Sequence, residues 1–537
     1  MCYYTYVCAG NIMRKFFRKL FSPTVLIILI LLLELILIAI GYIGLDIFFS
    51  ALGIDEGWGA LIYAGFKLIV GVLEFYMFFV ILNKDEDPEY KIPWLVFMIL
   101  LPIATMVFYA IFANHGLRKI DRKIIEPSNK IIEEKFRPSK DASEDFKNSV
   151  PLEYRGIFRY LRHSTKLCST GGNRLTYFKD GETFFPEMVE SLKKAKEFIF
   201  MEFFIIGEGY WWKEIEKVLI EKAKAGVDVR VLYDDMGSFG LLPAAYPKMM
   251  KKHGVTIHKF HPFRPILSGV YNNRDHRKIC IIDHQIGYTG GMNLADEYAN
   301  TIKRFGYWKD TMVKIEGPAI NNLIAIFLQN HDLCTHKLSD YHKYLDYEYE
   351  TYDEEGFVFP FGDGPGSFGG NEQVGELNYI NIINSAKRSL YISTPYLIAP
   401  YSLTQALCDA ARRGVDVHLI VPGIPDKKVV YWMAKCDFHV LLQKGVHIYI
   451  YTPGFNHEKQ MLADDRVAFV GTINFDFRSL THHFECGATF IDSPCIKDIK
   501  EDFLEMINQS QEVPSNFKQG GFKRFLCSIL KLFRTLL

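Results

Sequence analysis

"AKEFIFMEFFII" at residues 195–206 leads to "AKAGVDVRVLYDD" at 223–235, and the pair returns as "AKRSLYISTPYLI" at 386–398 leading to "AARRGVDVHLIVP" at 410–422. Each pair reads as a strand, a helix closed by a glycine (Gly226, Gly414), and a second strand of Val, Ile and Leu. One α/β unit is used twice. Self-similarity over roughly 200 residues predicts two duplicated α/β sandwich lobes that share an interface, rather than a solenoid of short repeats.

A second repeat runs inside the first. "DHRKICIID" (275–283) carries His276, Lys278 and Asp283, and "NHEKQMLADD" (456–465) carries His457, Lys459 and Asp464 at the same H-x-K-x-x-x-x-D spacing. Asn293 and Asn474 each lie seventeen residues past their histidine. In a strand, residues two apart share a face, so the histidine and lysine of each motif point the same way on a rigid ledge. The aspartate falls out of this alternation at the strand end, where a carboxylate can fix a turn or hold a cation.

Two histidines with two lysines suit an anion. A metal needs electron-pair donors, whereas an ammonium carries three N–H donors and no acceptor. Two ammonium groups plus two asparagine amides match a phosphate whose charge spreads over its oxygens. A neutral imidazole can attack phosphorus, and a second, protonated one can release the departing alcohol. The kinetics are then ping-pong, and the acceptor decides between transferase and hydrolase. Each imidazole needs an acceptor for its other N–H. Asp310 in "GYWKDT" and Glu485 in "HHFECG", thirty-four and twenty-eight residues beyond their respective histidines, are the expected orienters.

The remaining chain bounds the setting. With 62 basic and 62 acidic residues in 537, there is no global field of the kind that marks a nucleic-acid binder. The ten cysteines contain no C-x-x-C pair and read as reduced cytosolic thiols. Residues 25–45 form an apolar run long enough to span about 30 Å of hydrocarbon. Further runs follow at about 60–82 and 93–113. Basic clusters at Arg14–Lys19 and Arg118–Lys123 flank the whole, and both prefer the cytoplasm. The run holding Pro93 and Pro102 is therefore expected to be re-entrant or partly interfacial. Glu34 and Lys67, charges inside apolar runs, are expected to pair. The C-terminal "FKRFLCSILKLFRTLL" places Phe522, Phe525, Ile529, Phe533 and Leu536 on one helical stripe, with Lys523, Arg524, Lys531 and Arg534 largely off it. This amphipathic tail suits an anionic lipid surface, or a dock on the enzyme or a second copy.

The expected organisation is a basic cytoplasmic N-terminus (1–24), a membrane anchor (25–113), a charged connector (114–150), lobes at 151–345 and 346–515, and the basic tail (516–537). That makes a multi-pass protein of the cell membrane with a cytoplasmic catalytic domain. The sequence leaves the oligomeric state open.

The paired motifs resemble the phospholipase D superfamily. "PWLVFMILLPIATMVFYAIF", "GVDVRVLYDDMGS", "YWKDTMVKIEGPA", "YTPGFNHEK" and "RSLTHHFECG" resemble the bacterial cardiolipin synthases within it. The resemblance implies transfer of a phosphatidyl group from one phosphatidylglycerol to another, giving cardiolipin and glycerol, with no metal or other cofactor. It implies His276 as nucleophile and His457 as acid then base, a pair that could be exchanged. Lys278, Lys459, Asn293 and Asn474 would hold the phosphoryl oxygens, and Asp283 and Asp464 would support the lysines and strand ends. Met312 and His331 depart from the family pattern outside this set. A phospholipase D-type hydrolase or another phosphatidyltransferase would use the same residues. A non-catalytic lipid-binding scaffold is the rival from another class, and it predicts that one motif has decayed, whereas both are intact.

Overall fold

The two glycines read as helix stops both adopt φ of 92°, the left-handed conformation that ends a helix without a Cβ penalty. From each, the chain enters a strand buried among Val, Ile and Leu. A computed structural model describes residues 31–32, 34–36, 56–113, 116–138, 140–262, 269–365 and 372–536. They fall into two units, one of residues 1–115 with 263–271 and one of residues 116–262 with 272–537. The basic segment 1–24 and most of the apolar run 25–45 lie outside the described residues.

In the first unit, a helix runs over Glu56–Asn83. Among the described residues its Gly57–Asn83 stretch is the one helix long and apolar enough to cross a membrane. The run at 93–113 is not one helix. It breaks into Pro88–Leu100 and Pro102–Phe112, because Pro102 drives Leu101 out of helical geometry (φ −143°, ψ 71°). At about 1.5 Å per residue neither piece spans a bilayer alone. The expected Glu34–Lys67 pair does not form. The buried Glu34 carboxylate instead accepts hydrogen bonds from the backbone N–H groups of Ile103 (3.0 Å) and Ala104 (2.8 Å). These are orphan donors at a helix start, which apolar surroundings cannot satisfy. The Lys67 ammonium lies over the Tyr63 ring.

The second unit opens with helices over Lys119–Lys135, Lys140–Ser149 and Leu152–Thr165. The first lobe follows with β1 (Arg174–Phe178), β2 (Phe198–Phe203), β3 (Asp228–Asp234), β4 (Thr256–Phe260), β5 (Lys278–Ile282), β6 (Ile286–Gly290), β7 (Tyr307–Lys309) and β8 (Met312–Glu316). The second holds β9 (Phe357–Asp363), β10 (Ser389–Ser393), β11 (Leu397–Ile398), β12 (Asp416–Pro422), β13 (His447–Tyr451), β14 (Gly454–Asn456), β15 (Gln460–Ala463), β16 (Val467–Gly471), β17 (Phe475–Asp476), β18 (Glu485–Ile491) and β19 (Ser510–Glu512).

The sheets run β4-β3-β2-β5-β6-β8-β1 and β13-β12-β10-β15-β16-β18-β9, with β19 added outside β13. In each, three parallel strands meet an antiparallel set at the strand carrying the motif lysine side. The duplication read from sequence is thus a duplication of topology. Phe198, Phe200, Ile279, Ile281 and Ile324 of the first lobe share one buried cluster with Leu390, Ile392 and Val470 of the second.

The tail folds as a helix over Gly521–Lys531, packed on the Lys428–Gln443 helix. Cys527 and Cys436 are joined there in a disulfide, which corrects the expectation of reduced thiols throughout. The pairing depends on tertiary docking across 91 residues, to which cysteine spacing is blind. Lys531 also meets Asp437 at 2.7 Å. Phe522, Phe525 and Ile529 remain exposed on the outer side.

Candidate active site

The site is assembled by short strands that cross between the lobes. β14 pairs in parallel with β7, setting Asn456 beside Lys309, and the His457 N–H donates to the Lys309 carbonyl at 2.8 Å. On the other side Asp275 bridges Phe484, and the His276 N–H donates to the Phe484 carbonyl at 2.8 Å. The residue after each crossing is therefore delivered to the opposite lobe. Glu485 holds His276 Nδ1 at 2.9 Å, and Asp310 holds His457 Nδ1 at 2.6 Å. Asp310 and Glu485 do act on imidazoles, but each serves the other lobe's histidine, not the one upstream of it in its own lobe.

Both histidines, both motif lysines and both carboxylates are buried. Burial, with Lys278, Lys459, His457 and Lys427 adding like charge, holds His276 well below its ordinary pKa. Burial and the same lysines do so for His457. Both shifts favour the neutral imidazole, and the carboxylates hold Nδ1 rather than Nε2. Burial also pulls Lys278 down to about 7 and Lys459 to about 8, although Glu485 and Asp310 push the other way. It raises Asp310 to about 6. A phosphate monoanion entering here would meet two lysines poised between charged and neutral, and its own charge would favour their charged forms.

Asn293 is engaged at both ends, accepting from the Ile205 N–H (3.0 Å) and donating to the Tyr298 hydroxyl (2.6 Å). Asn474 donates to Ser479 Oγ at 3.0 Å, and its buried Oδ1 meets no hydrogen-bond partner.

Asp283 and Asp464 stand elsewhere. Each adopts left-handed φ (52° and 56°) at the far end of its motif strand, about 17 Å along it from the lysine. Asp283 accepts from the backbone N–H groups of Lys196, Glu197 and Phe198, and Asp464 from those of Lys387, Arg388 and Ser389. The expected support of strand ends is present; the expected contact with lysine, and a place in the catalytic set, are not. Four strand residues, 279–282 in one lobe and Gln460–Ala463 in the other, separate lysine from aspartate.

Several residues of the site escaped the sequence reading. His457 is walled by Tyr298, Trp308 and Phe455, with ring centroids at 5.5, 5.5 and 5.4 Å. His276 is walled by Phe204 at 5.0 Å and His483 at 5.5 Å. Trp308 and His483 each precede their carboxylate by two residues, so equivalent places hold an indole on one side and an imidazole on the other. The middle residues of the motifs point behind the ledge. Arg277 faces Glu202 (3.7 Å), and Glu458 faces Lys309 (2.8 Å), which also meets Asp502 (2.7 Å). Strand alternation could have signalled these buried ion pairs, since H-x-K places x on the opposite face.

Among the described residues, His276, His483 and Glu485 form the group whose ligand atoms could converge on a cation. Glu485 already accepts from His276 and from the Thr472 hydroxyl, and the charges of Lys278 and Lys459 bear on His276. That charge set favours an anion.

The family described as cardiolipin synthase, phospholipase D-like domain, matches residues 188–329 and 379–507, one segment in each lobe. The chain belongs to the phospholipase D-like cardiolipin synthase family. Residues 72–114 also match the N-terminal segment family of phospholipase D-nuclease proteins. Within the family, a cardiolipin synthase of Geobacillus sp. is 32% identical over 90% of this chain and 96% of its own length. One of Staphylococcus aureus is 32% identical over 78% of this chain and 85% of its own. An uncharacterized protein of Streptococcus mutans is 42% identical over 81% of this chain and 93% of its own. The phosphatidylserine synthase of Haemophilus influenzae has the same fold, with a TM-score of 0.55 at 13% identity, covering 72% of this chain and all of that one.

Proposed function

We propose that the chain makes cardiolipin, passing a phosphatidyl group from one phosphatidylglycerol to a second and releasing glycerol. The observation that carries this reading is the exchanged pair of carboxylate-held histidines around two buried lysines. His457 takes up a proton as the negatively charged phosphodiester enters beside it. His276 Nε2, neutral, then forms the P–N bond while the P–O bond to the glycerol headgroup breaks and His457 Nε2–H protonates the departing oxygen. The hydroxyl of the second phosphatidylglycerol then gives its proton to His457, its oxygen attacks phosphorus, and the P–N bond breaks. One phosphodiester replaces another, so the exchange has no need of a nucleotide. Lys278 and Lys459 neutralise the charge on the phosphoryl oxygens, and the Asn474 amide, which gives one N–H to Ser479, would donate its other N–H to them. The Tyr298, Trp308 and Phe455 wall beside His457 disfavours water at the position where the alcohol departs and enters, which supports transfer over hydrolysis.

The anchor fits a cell-membrane enzyme with its catalytic domain in the cytoplasm. The first apolar run and the Gly57–Asn83 helix would cross, and the broken Pro88–Phe112 pair would dip and return, leaving both basic clusters on one side. Engineered cysteines at 88 and 120 should then react with a membrane-impermeant maleimide, above wild-type background, from the same face. Labelling from opposite faces overturns the topology.

The deciding experiment incubates the purified chain with labelled phosphatidylglycerol. Cardiolipin and glycerol should appear in equal amounts; His276→Ala should abolish them and His457→Ala should leave only a trace rate. Phosphatidic acid as the main product would make the enzyme a hydrolase.

A further inference from the structure

The two lobes present matching loops at the edge of the sheet where the motifs sit. In the first lobe, Phe203 pairs with both Tyr233 and Lys278, so the carboxyl ends of β2 and β3 stand beside the motif. The loop after β3 leaves from that edge. In the second lobe, Ser393 pairs with Ile420 and Gln460, and the loop after β12 leaves from the equivalent edge.

Both loops carry apolar side chains outward, and the first turn of the Lys428–Gln443 helix continues the second loop. Met236, Leu241 and Ile424 are exposed, Phe239 is 67% exposed and Val429, in that first turn, is 54% exposed. Neither loop is far from the chemistry. Gly237 packs against Phe204, which packs against His276. The Ile424 N–H donates to the Gly454 carbonyl at 3.1 Å, and Phe455, the next residue, packs against His457.

The loops themselves are firm. Asp234 accepts from the N–H groups of Met236 (2.8 Å) and Gly237 (2.9 Å). Asp426 accepts from the Tyr396 hydroxyl at 2.6 Å. Charge at the second loop leans positive. Lys427 and Lys428 are exposed, while Asp426 is half-buried against the Tyr396 hydroxyl; at the first loop Asp235 is paired with Lys259. The Lys428–Gln443 helix begins at the rim and carries the tail helix, whose exposed Phe522, Phe525 and Ile529, with Lys523 and Arg524, extend the same chemistry.

We propose that these two loops form an apolar collar that seats the mouth of the catalytic cleft on an anionic lipid bilayer, with the tail helix as its extension. The inference rests on the phosphatidylglycerol reading and names how that substrate is reached. The phosphorus of a bilayer lipid lies just below the headgroups, and both histidines are buried. The cleft must come down to the lipid, since lifting the lipid out would expose its acyl chains to water. Apolar side chains at the collar enter the acyl boundary, and Lys427 and Lys428 remain at the phosphate level, where the substrate's own negative charge attracts them. Lysine enrichment favours this occupant over a second copy of the chain, whose identical collar would bring like charges together.

The test places benzoylphenylalanine at position 239, 429 or 338 of the full chain in phosphatidylglycerol–phosphatidylcholine proteoliposomes. Leu338 is exposed but gathers with Asp228 and Thr256 at the amino ends of β3 and β4, the opposite edge. Light should yield phospholipid adducts at 239 and 429 and none at 338. Chain-to-chain adducts at 239 or 429, or no lipid adduct there, overturn the proposal. In parallel, Leu241→Ser with Val429→Ser should slow turnover of bilayer phosphatidylglycerol at least tenfold, yet leave turnover of a monomeric short-chain phosphatidylglycerol within twofold. Unchanged turnover of the bilayer substrate counts against the collar. Equal loss on both reports a folding defect, and the adduct pattern then decides. If the wild-type chain makes no cardiolipin from either substrate, the functional reading falls while the adducts still test the docking.

Discussion

His457 Nδ1 lies 2.6 Å from Asp310 Oδ2, a carboxylate that the other lobe carries. With Glu485 doing the same for His276, neither half owns a complete histidine–carboxylate pair. If these pairs carry the reaction, it requires the lobes to be docked.

The exchange predicts the effect of removing one carboxylate. Asp310→Asn should keep the fold but let the amide favour the wrong His457 tautomer, lowering kcat by about 10² to 10⁴. Phosphatidylglycerol KM should hardly move. Glu485→Gln should do the same through His276. Combining Asp310→Asn with His457→Ala should cost little beyond His457→Ala alone, because the two act as one unit. Additive losses in cardiolipin synthesis would separate them.

The pH profile follows from the same groups. Asp310, raised by burial to about 6, must be ionised to hold His457. Lys278 and Lys459, lowered by burial to about 7 and about 8, must be charged to hold phosphate. In the free enzyme kcat/KM should rise through pH 6 and fall again above pH 7 to 8. Asp310→Asn should remove the acid limb from its residual rate. Lys278→Arg should move the alkaline limb upward, since a guanidinium does not titrate there.

The duplicated lobes and the His–Lys ledges were legible because strand period, glycine stops and motif spacing all survive in the residues themselves. The exchange of Asp310 and Glu485 was not. It is made by β7 and β14, three residues each, too short to leave a period, and it depends on which lobe's edge meets which. Asp283 and Asp464 lay in the motif and so were grouped with its chemistry, yet their partners are backbone N–H groups, which no side-chain pattern displays. The same blindness hid the partner of Glu34. Cys436 and Cys527 were unreadable for another reason, since a helix must dock before they meet.

Asp464 is held below its usual pKa: burial pushes it up, but the N–H groups of Arg388, Ser389 and Lys387 and the Tyr154 hydroxyl outweigh that. A lowered folded-state value means stability that is present above the unfolded pKa of about 4 and is lost as pH falls through the folded one. Asp464→Ala should destabilise the fold by about 1 to 3 kcal/mol. The folded fraction should synthesise cardiolipin within a few-fold of the wild-type rate. A loss of kcat as deep as that of Lys459→Ala, at full folding, would return Asp464 to the catalytic set.

Lys278 sets function against stability. Its folded pKa of about 7 lies below the unfolded value near 10.4, so the unfolded chain binds the extra proton between those limits and stability rises with pH across them. Lys278→Met should remove the penalty, raising the melting midpoint by about 2 to 4 °C at pH 6 and by less as pH approaches 10. Cardiolipin synthesis should be abolished in the same variant. Melting curves of the detergent-solubilised chain at the two pH values, run beside the activity assay, check both halves.

Glu34 supplies an acceptor to two backbone N–H groups, those of Ile103 and Ala104, where the Pro102–Phe112 helix begins. Pro102 contributes no N–H of its own, so these are the first donors the helix presents, and the positive end of the helix dipole strengthens their hold on a carboxylate. Glu34→Gln keeps one acceptor and loses the charge; Glu34→Ala leaves both donors unsatisfied in apolar surroundings. Destabilisation should therefore rank Ala above Gln, at about 1 to 3 kcal/mol for Ala. Lys67→Met should be close to neutral, because Lys67 is not the partner. Protease resistance of the 88–112 segment in proteoliposomes reads the order. A Lys67→Met loss equal to that of Glu34→Ala would restore the ion pair that charge alone suggests.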